Sequence, residues 1–141
     1  MEKKRKGYGM KLLVIGGVAA GTKAAAKFKR VNPGAEVTIV TKGKDISYAG
    51  CGLPYYLGGA IQDRGQLIVN TPEKFGDLTG AMVYTEREVT ALDPKEKKAA
   101  AKNLRTGAEE IYEYDACVIA TGASPVVPPL PGTSLPGVFV M

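Results

Sequence analysis

The stretch Ser47-Tyr48-Ala49-Gly50-Cys51-Gly52-Leu53-Pro54 places a cysteine between two glycines. So little side-chain bulk surrounds Cys51 that its sulfur is expected to be open to solvent. A short helix is expected to begin at Cys51 or Gly52, and a helix start adds partial positive charge. Both conditions favour the thiolate, the reactive form of the side chain. Cys117 lies inside the apolar run Asp115–Ala120 and reads as a buried, inert thiol. No second cysteine follows Cys51 within the next helical turns, which excludes a dithiol on one helix.

A second chemical feature is the run Gly16-Gly17-Val18-Ala19-Ala20-Gly21, directly after Lys11–Ile15. A glycine turn between strand and helix lets backbone N–H groups approach a pyrophosphate, and the helix start adds favourable charge. The spacing is Gly16-x-Val18-x-x-Gly21, with valine at the middle glycine position of the dinucleotide fingerprint. A turn that only lets a helix pack on a strand would use the same glycines. The location after a strand, before a helix and within the first βαβ unit supports nucleotide binding. At the end of the second strand, where an acidic side chain ordinarily takes the ribose hydroxyls, stands Val40-Thr41-Lys42. Thr41 offers one hydrogen bond and no carboxylate. Either the dinucleotide reading weakens or the adenosine end is held differently. Lys23, Lys27 and Arg30 fall at i, i+4 and i+7 of the first helix and share one face. That face gathers phosphates or is an ordinary solvated surface.

The elements that position these residues follow from local signals. Lys11–Ile15 is an apolar strand, Gly16–Gly21 the turn, and the next residues a helix to about Val31. Asn32-Pro33-Gly34 stops it. Glu36–Val40 is a β-branched strand, and strand, turn, helix and strand in so short a span require a parallel sheet. Thr71 and Pro72 open another helix as cap and first-turn residue. Met82–Tyr84, Arg87–Leu92, Lys98–Leu104 and Glu110–Tyr114 are short segments split by turn residues and predict an antiparallel meander. Asp115–Ala120 is a further apolar strand. Five of the nine prolines crowd residues 125–136 and predict an extended exit. The fold class expected is α/β: a Rossmann-like parallel sheet whose βαβ unit carries the glycine loop, with a small antiparallel β-meander inserted.

Composition narrows the chemistry. The chain has 141 residues, enough for one hydrophobic core, and no histidine. Without histidine, and with two cysteines, Ser-His-Asp triads and zinc sites are excluded and no metal is expected. Lys and Arg total 19 against 14 Asp and Glu, a net charge of +5. Lys3, Lys4, Arg5 and Lys6 against Glu2 account for three of those charges, leaving +2 for the rest, which is not the basic face of a nucleic-acid binder. Residues 1–26 carry some marks of a signal peptide, but Gly16-Gly17 interrupts the apolar run and Lys23 charges the cleavage region. No stretch approaches the roughly 20 apolar residues of a membrane span, and a cytoplasmic location without nucleic-acid or membrane partners is expected.

Gly16–Gly21, the Ser47-Tyr-x-x-Cys51-Gly-Leu-Pro54 block and Ala120-Thr-Gly-Ala-Ser-Pro125 together resemble the single-cysteine, flavin-dependent pyridine nucleotide-disulfide oxidoreductases. Within these, coenzyme A-disulfide reductases and their NADH oxidase and peroxidase relatives are most similar. The resemblance runs from about Lys11 to Met141. It implies FAD held by Gly16, Gly17, Val18, Ala19, Ala20 and Gly21, with contacts from Thr41, Lys42, Ser47 and Val89 and a second backbone approach at Ala120, Thr121 and Gly122. It implies Cys51 as the catalytic group, cycling through a mixed disulfide with coenzyme A in the reductases and through a sulfenic acid in the oxidases and peroxidases. It implies substrate contacts at Lys23, Lys27, Arg30, Ser47 and Gly50. Two departures stand out: Gly50 where those reductases often carry asparagine, and Thr41 where the family usually has glutamate. On this resemblance residues 1–9 are a flexible basic tail, 10–124 the first half of the FAD-binding domain, and 125–141 a proline-rich exit. NAD(P)H would act as reductant through a nicotinamide-binding domain beyond Met141, in a homodimer, so the chain is expected to be a fragment. The alternative reading is a non-catalytic nucleotide or coenzyme A binding module.

Overall fold

The computed structural model describes residues 9–140, so the basic tail expected over 1–9 lies outside it except for Gly9. Strand β1 (Lys11–Ile15) is central, with Leu12, Leu13, Val14 and Ile15 all buried. An unbroken apolar run is what a strand covered on both faces requires. It pairs in parallel with β2 (Glu36–Val40) on one side and β7 (Ala116–Ile119) on the other, so that Leu13 stands opposite both Thr38 and Cys117. Helix α1 (Ala19–Val31) makes the crossover from β1 to β2. It ends at Asn32, whose N–H donates to the Phe28 carbonyl at 2.9 Å before Pro33-Gly34 turns the chain.

Strand β3 (Met82–Tyr84) also runs parallel, alongside β2 from Thr38 to Val40, giving the order β3-β2-β1-β7. This corrects the expectation that Met82–Tyr84 opens the antiparallel meander. The reason lies in α3 (Pro72–Thr79), which acts as a second crossover and packs against both β3 and α1. The Thr71 hydroxyl caps it by accepting from the Lys74 N–H at 3.2 Å, and Gly80, at φ 70°, ends it in the left-handed conformation. The chain then re-enters the sheet in the same sense as β2.

The meander is β4 (Arg87–Asp93), β5 (Lys98–Asn103) and β6 (Glu109–Glu113), antiparallel in that order, with a bulge at Thr90. Its turns use side chains that mimic backbone acceptors. Asp93 Oδ1 accepts from the Lys95 and Glu96 amides, and Asn103 Oδ1 from those of Arg105 and Thr106.

Alternation along the parallel strands builds three layers. Leu12, Val14, Val37 and Ile39 face α1 and α3 with Ala25, Ile46 and Phe75. Leu13, Ile15 and Val40 face the meander, against Ala99, Ala101 and Tyr114. Burying each such aliphatic side chain stabilises by about 1.5–3 kcal/mol. The small alanines of β5 let the second sheet come close. The result is the α/β arrangement expected, a parallel Rossmann-like sheet with a separate three-stranded antiparallel sheet. From Ala120 to Val140 the chain has no helix or strand. Among the described residues no helix is long and apolar enough to cross a membrane.

Candidate functional site

Strand β1 has β2 on one side and β7 on the other, so the crossovers leave its carboxyl end in opposite directions. Ligands of open α/β sheets sit in the crevice at that point. Here it is a cleft of ≈ 400 Å³ whose walls are the glycine loop, the end of β2, the start of β4 and the residues after β7. A larger hollow of ≈ 480 Å³ lies between β3 and β6, lined also by Lys11, Glu36 and Glu113. It opens towards the amino ends of β1 and β2 and contains neither the glycine loop nor Cys51.

Gly16, Gly17 and Val18 line the cleft together with Ala120 and Thr121. The Gly16 N–H donates to the Val40 carbonyl at 2.8 Å, and the Ala120 N–H to the Ile15 carbonyl at 2.8 Å. Three backbone segments therefore converge, and Gly16, at φ 108°, is where they touch. A Cβ there would overlap the Ala120 carbonyl oxygen. Ala19, Ala20 and Gly21 form the first turn of α1, which holds no acidic residue and has no side-chain cap from Val18. Its first N–H groups thus lack a side-chain partner, and an anion at that end is favoured. Gly122, at φ 75°, lies one residue past the cleft wall.

Thr41, Lys42 and Val89 line the opposite end of the same cleft. Thr41 is buried, and a Cβ on Gly17 would lie 3.0 Å from its methyl carbon. Lys42 Nζ pairs with Glu88 Oε1 at 2.8 Å across exposed surface, a contact worth about 0–1 kcal/mol. Gly43, Asp45, Arg87 and Glu88 also line this wall. Sequence reasoning missed these four, because which residues of β4 meet the end of β2 depends on register, and Gly43 and Asp45 sit in the irregular segment after β2.

The cysteine segment is tied to the glycine loop by the Ser47 N–H, which donates to the Gly17 carbonyl at 2.9 Å. Ser47, at φ 50°, directs the chain into a single bridge between Tyr48 and Ile68. Cys51 then sits, exposed, in the 3-10 turn Gly50–Gly52 that leads into α2 (Leu53–Leu57). A helix of five residues carries a weak dipole, so openness rather than helix charge distinguishes this thiol. Cys117 is half-buried on β7 rather than fully enclosed, and burial pushes its thiol pKa up.

The expected substrate residues divide. Lys23 and Ser47 share a depression of ≈ 370 Å³ with Tyr48, Val69 and Phe75. Arg30 lines another, beside Lys29, Leu78 and Thr79. Lys27 is exposed on α1 but borders neither depression. Gly50 is exposed, with open space where a Cβ would stand.

Behind the cleft a polar cluster fixes β4 to β6. Glu110 accepts from the Tyr112 hydroxyl at 2.5 Å, the Asn103 amide at 2.8 Å and Arg87 Nε at 3.4 Å. The Tyr112 and Asn103 hydrogen bonds, helped by Arg87, hold the Glu110 carboxyl below its ordinary pKa. Burial, then the bond to Glu110, drives the Tyr112 phenol up. Arg87 also lies 5.8 Å from the Tyr84 ring centroid. On the other wall Asp45 pairs with Arg64 at 2.8 Å, and that hydrogen bond raises the guanidinium pKa.

Residues 10–140 match the family of pyridine nucleotide-disulphide oxidoreductases. The chain belongs to that family. It is 39% identical over 123 residues to an NADH oxidase of Enterococcus faecalis, covering 87% of this chain and 27% of that protein. It is 34% identical over 114 residues to a coenzyme A disulfide reductase of Staphylococcus aureus, covering 81% of this chain and 26% of that protein. The solved structure of reduced Bacillus anthracis CoADR-RHD superposes with a TM-score of 0.84 at 37% identity, covering 92% of this chain and 23% of that one. The chain thus spans about a quarter of the length of these relatives.

Members of the disulphide oxidoreductase family are FAD-dependent enzymes, and the construction of the cleft fits such a dinucleotide. Bare backbone at Gly16 and Gly21, a first helical turn without acid and a second backbone wall at Ala120–Thr121 suit a pyrophosphate. A departure from the usual dinucleotide site is the end of β2, where Thr41 and Lys42 stand without a carboxylate.

Proposed function

We propose that this chain is the FAD-binding, cysteine-bearing part of a flavin- and NAD(P)H-dependent oxidoreductase that reduces coenzyme A disulfide, or a related disulfide or persulfide, through Cys51. The observation that carries this reading is the Ser47–Gly17 hydrogen bond of 2.9 Å, which couples the segment bearing an exposed thiol to the phosphate loop. Bound FAD supplies two-electron transfer between a nicotinamide and sulfur. Gly16 to Gly21, Thr41, Lys42, Val89 and Ala120 to Gly122 hold it, and Ser47 positions the loop that follows. The Cys51 thiolate attacks one sulfur of the disulfide. A mixed disulfide forms on Cys51, the substrate S–S bond breaks, and one coenzyme A thiolate leaves. Lys23, beside Ser47, and the exposed Lys27 and Arg30 of α1 attract the substrate phosphates. In this reading residues 10–124 begin the FAD-binding domain, 125–141 lead towards a nicotinamide-binding domain, and the whole protein works as a homodimer in the cytoplasm.

The test uses the purified chain. After incubation with FAD and removal of the excess, a flavin absorption band is expected to remain. After incubation with coenzyme A disulfide, mass spectrometry is expected to find one coenzyme A adduct, on Cys51, absent from Cys51→Ser. Absence of both band and adduct would leave a non-catalytic module. Oxidation of Cys51 by peroxide to a sulfenic acid, without reaction with the disulfide, would instead favour the oxidase and peroxidase branch.

A further inference from the structure

We propose that Glu88 on β4 supplies the carboxylate that holds the adenosine ribose hydroxyls of the bound dinucleotide, in place of a side chain from the end of β2. This deepens the flavin-binding reading and rests on it. In dinucleotide sites of this architecture the ribose carboxylate comes from the end of the second strand. Here that residue is Thr41, only 6% exposed and packed beneath Gly17. The next residue, Lys42, is a cation.

The backbone supplies a substitute. Hydrogen bonding along β2 does not stop where β3 ends. The Thr41 N–H donates to the Tyr84 carbonyl at 2.9 Å, the Thr41 carbonyl accepts from the Arg87 N–H at 3.0 Å, and the Gly43 carbonyl accepts from the Glu86 N–H at 3.1 Å. Residues 84–87 are thereby fastened along 41–43, and Glu88 emerges beside Lys42 on the cleft wall. Lys42 Nζ meets only Oε1 of Glu88, at 2.8 Å, and among the described residues Oε2 takes part in no hydrogen bond. The Glu88 side chain is 41% exposed, which leaves that oxygen within reach of a ligand. The other acid of the cleft, Asp45, is likewise paired through one oxygen, with Arg64 at 2.8 Å, but its side chain is only 24% exposed. Glu88 is thus the more open of the two cleft carboxylates, with one oxygen free to accept, and Lys42 orients it.

The experiment is a binding cycle by calorimetry on wild type and Glu88→Gln, each titrated with FAD and with the form of FAD carrying 2′-deoxyadenosine. The change is isosteric at a partly exposed position, so folding is not at stake. Glu88→Gln is expected to raise the Kd for FAD about tenfold, as loss of a charged hydrogen bond does. The deoxy ligand is expected to bind wild type about tenfold more weakly than FAD does, and the variant with the same Kd as FAD. Two results overturn the assignment: unchanged FAD affinity in the variant, or the same deoxy penalty in both proteins, which would put Glu88 on another part of the ligand. Wild type that binds no FAD overturns the flavin reading itself, and this assignment with it. Tight FAD binding indifferent to Glu88 overturns the assignment alone.

Discussion

The α-carbon of Gly21 sits against the carbonyl oxygen of Gly16, so close that no Cβ fits between them. Helix α1 can therefore lie on the phosphate loop only while position 21 has no side chain. Gly21→Ala sets two effects against each other. Alanine gains up to about 1 kcal/mol of helix propensity, while the overlap forces α1 away from β1 at about 1–3 kcal/mol or more. Overpacking wins, because the obstructing atom is backbone and cannot rotate aside. A net loss of about 1–2 kcal/mol is expected in urea unfolding, together with loss of retained flavin. Gly50→Ala, with open space around it, is the control and stays within about 0.5 kcal/mol. Equal stability of Gly21→Ala and wild type would refute the close-approach argument.

The two thiols separate by alkylation. Cys51 is exposed, whereas Cys117 is half-buried on β7 with its pKa raised by burial. Native protein at pH 8 is expected to take up iodoacetamide at Cys51 first, and Cys117 to react about tenfold more slowly or only in urea. Because the folded state disfavours the Cys117 thiolate, stability falls as pH rises through the ordinary thiol value of about 8.5. Cys117→Ala is expected to flatten that alkaline decline. Peptide mapping showing equal labelling rates would contradict the burial.

Glu110 governs the acid side. Its carboxyl is held below the ordinary value by Tyr112 and Asn103, helped by Arg87. The resulting stabilisation is fully present above about pH 4.3, the ordinary glutamate value, and is lost as pH falls through the lower folded one. Glu110→Gln is expected to lower the urea midpoint at pH 7 and to match wild type more closely at pH 3. A gap between the two proteins that is the same at both pH values would remove the carboxylate from the explanation.

Thr71 is a stability determinant remote from the cleft. Its hydroxyl accepts the Lys74 N–H at the start of α3, the helix that delivers β3 to the sheet edge. Thr71→Ala is expected to cost about 1 kcal/mol, and Thr71→Ser much less. Denaturant melts of the two variants check this, and identical midpoints would show that the cap contributes nothing.

How much was visible beforehand varied with the kind of signal. Lys11–Ile15, Gly16–Gly21 and Glu36–Val40 announce a βαβ unit because apolar run, glycine turn and β-branched run follow in an order that leaves few alternatives. Met82–Tyr84 did not declare its sheet, since three residues show no periodicity and its direction is set by α3. Cys51 was conspicuous from its glycine neighbours and is exposed. Arg87 and Glu88 were silent, because they reach the cleft through hydrogen bonds that fasten residues 84–87 along 41–43. Gly43 and Asp45 were silent because they lie in the segment after β2, which carries no periodicity. Lys23, Lys27 and Arg30 share a helix face by spacing, but the neighbouring Ser47 loop and α3 divide that face into separate depressions.

The pairing of β7 with β1 also orders events in time. The Asp115 carboxylate accepts from the Lys11 N–H at 2.9 Å across a sequence separation of 104 residues, whereas β2 needs only the α1 crossover to reach β1. Contacts so distant along the chain form slowly, because a long loop must close before any of them is gained. Ala120 and Thr121, which follow β7, form one wall of the cleft. During synthesis the glycine loop, α1 and β2 therefore leave the ribosome well before the wall that completes them. A nucleotide meeting the growing chain finds a site open on one side until β7 has docked.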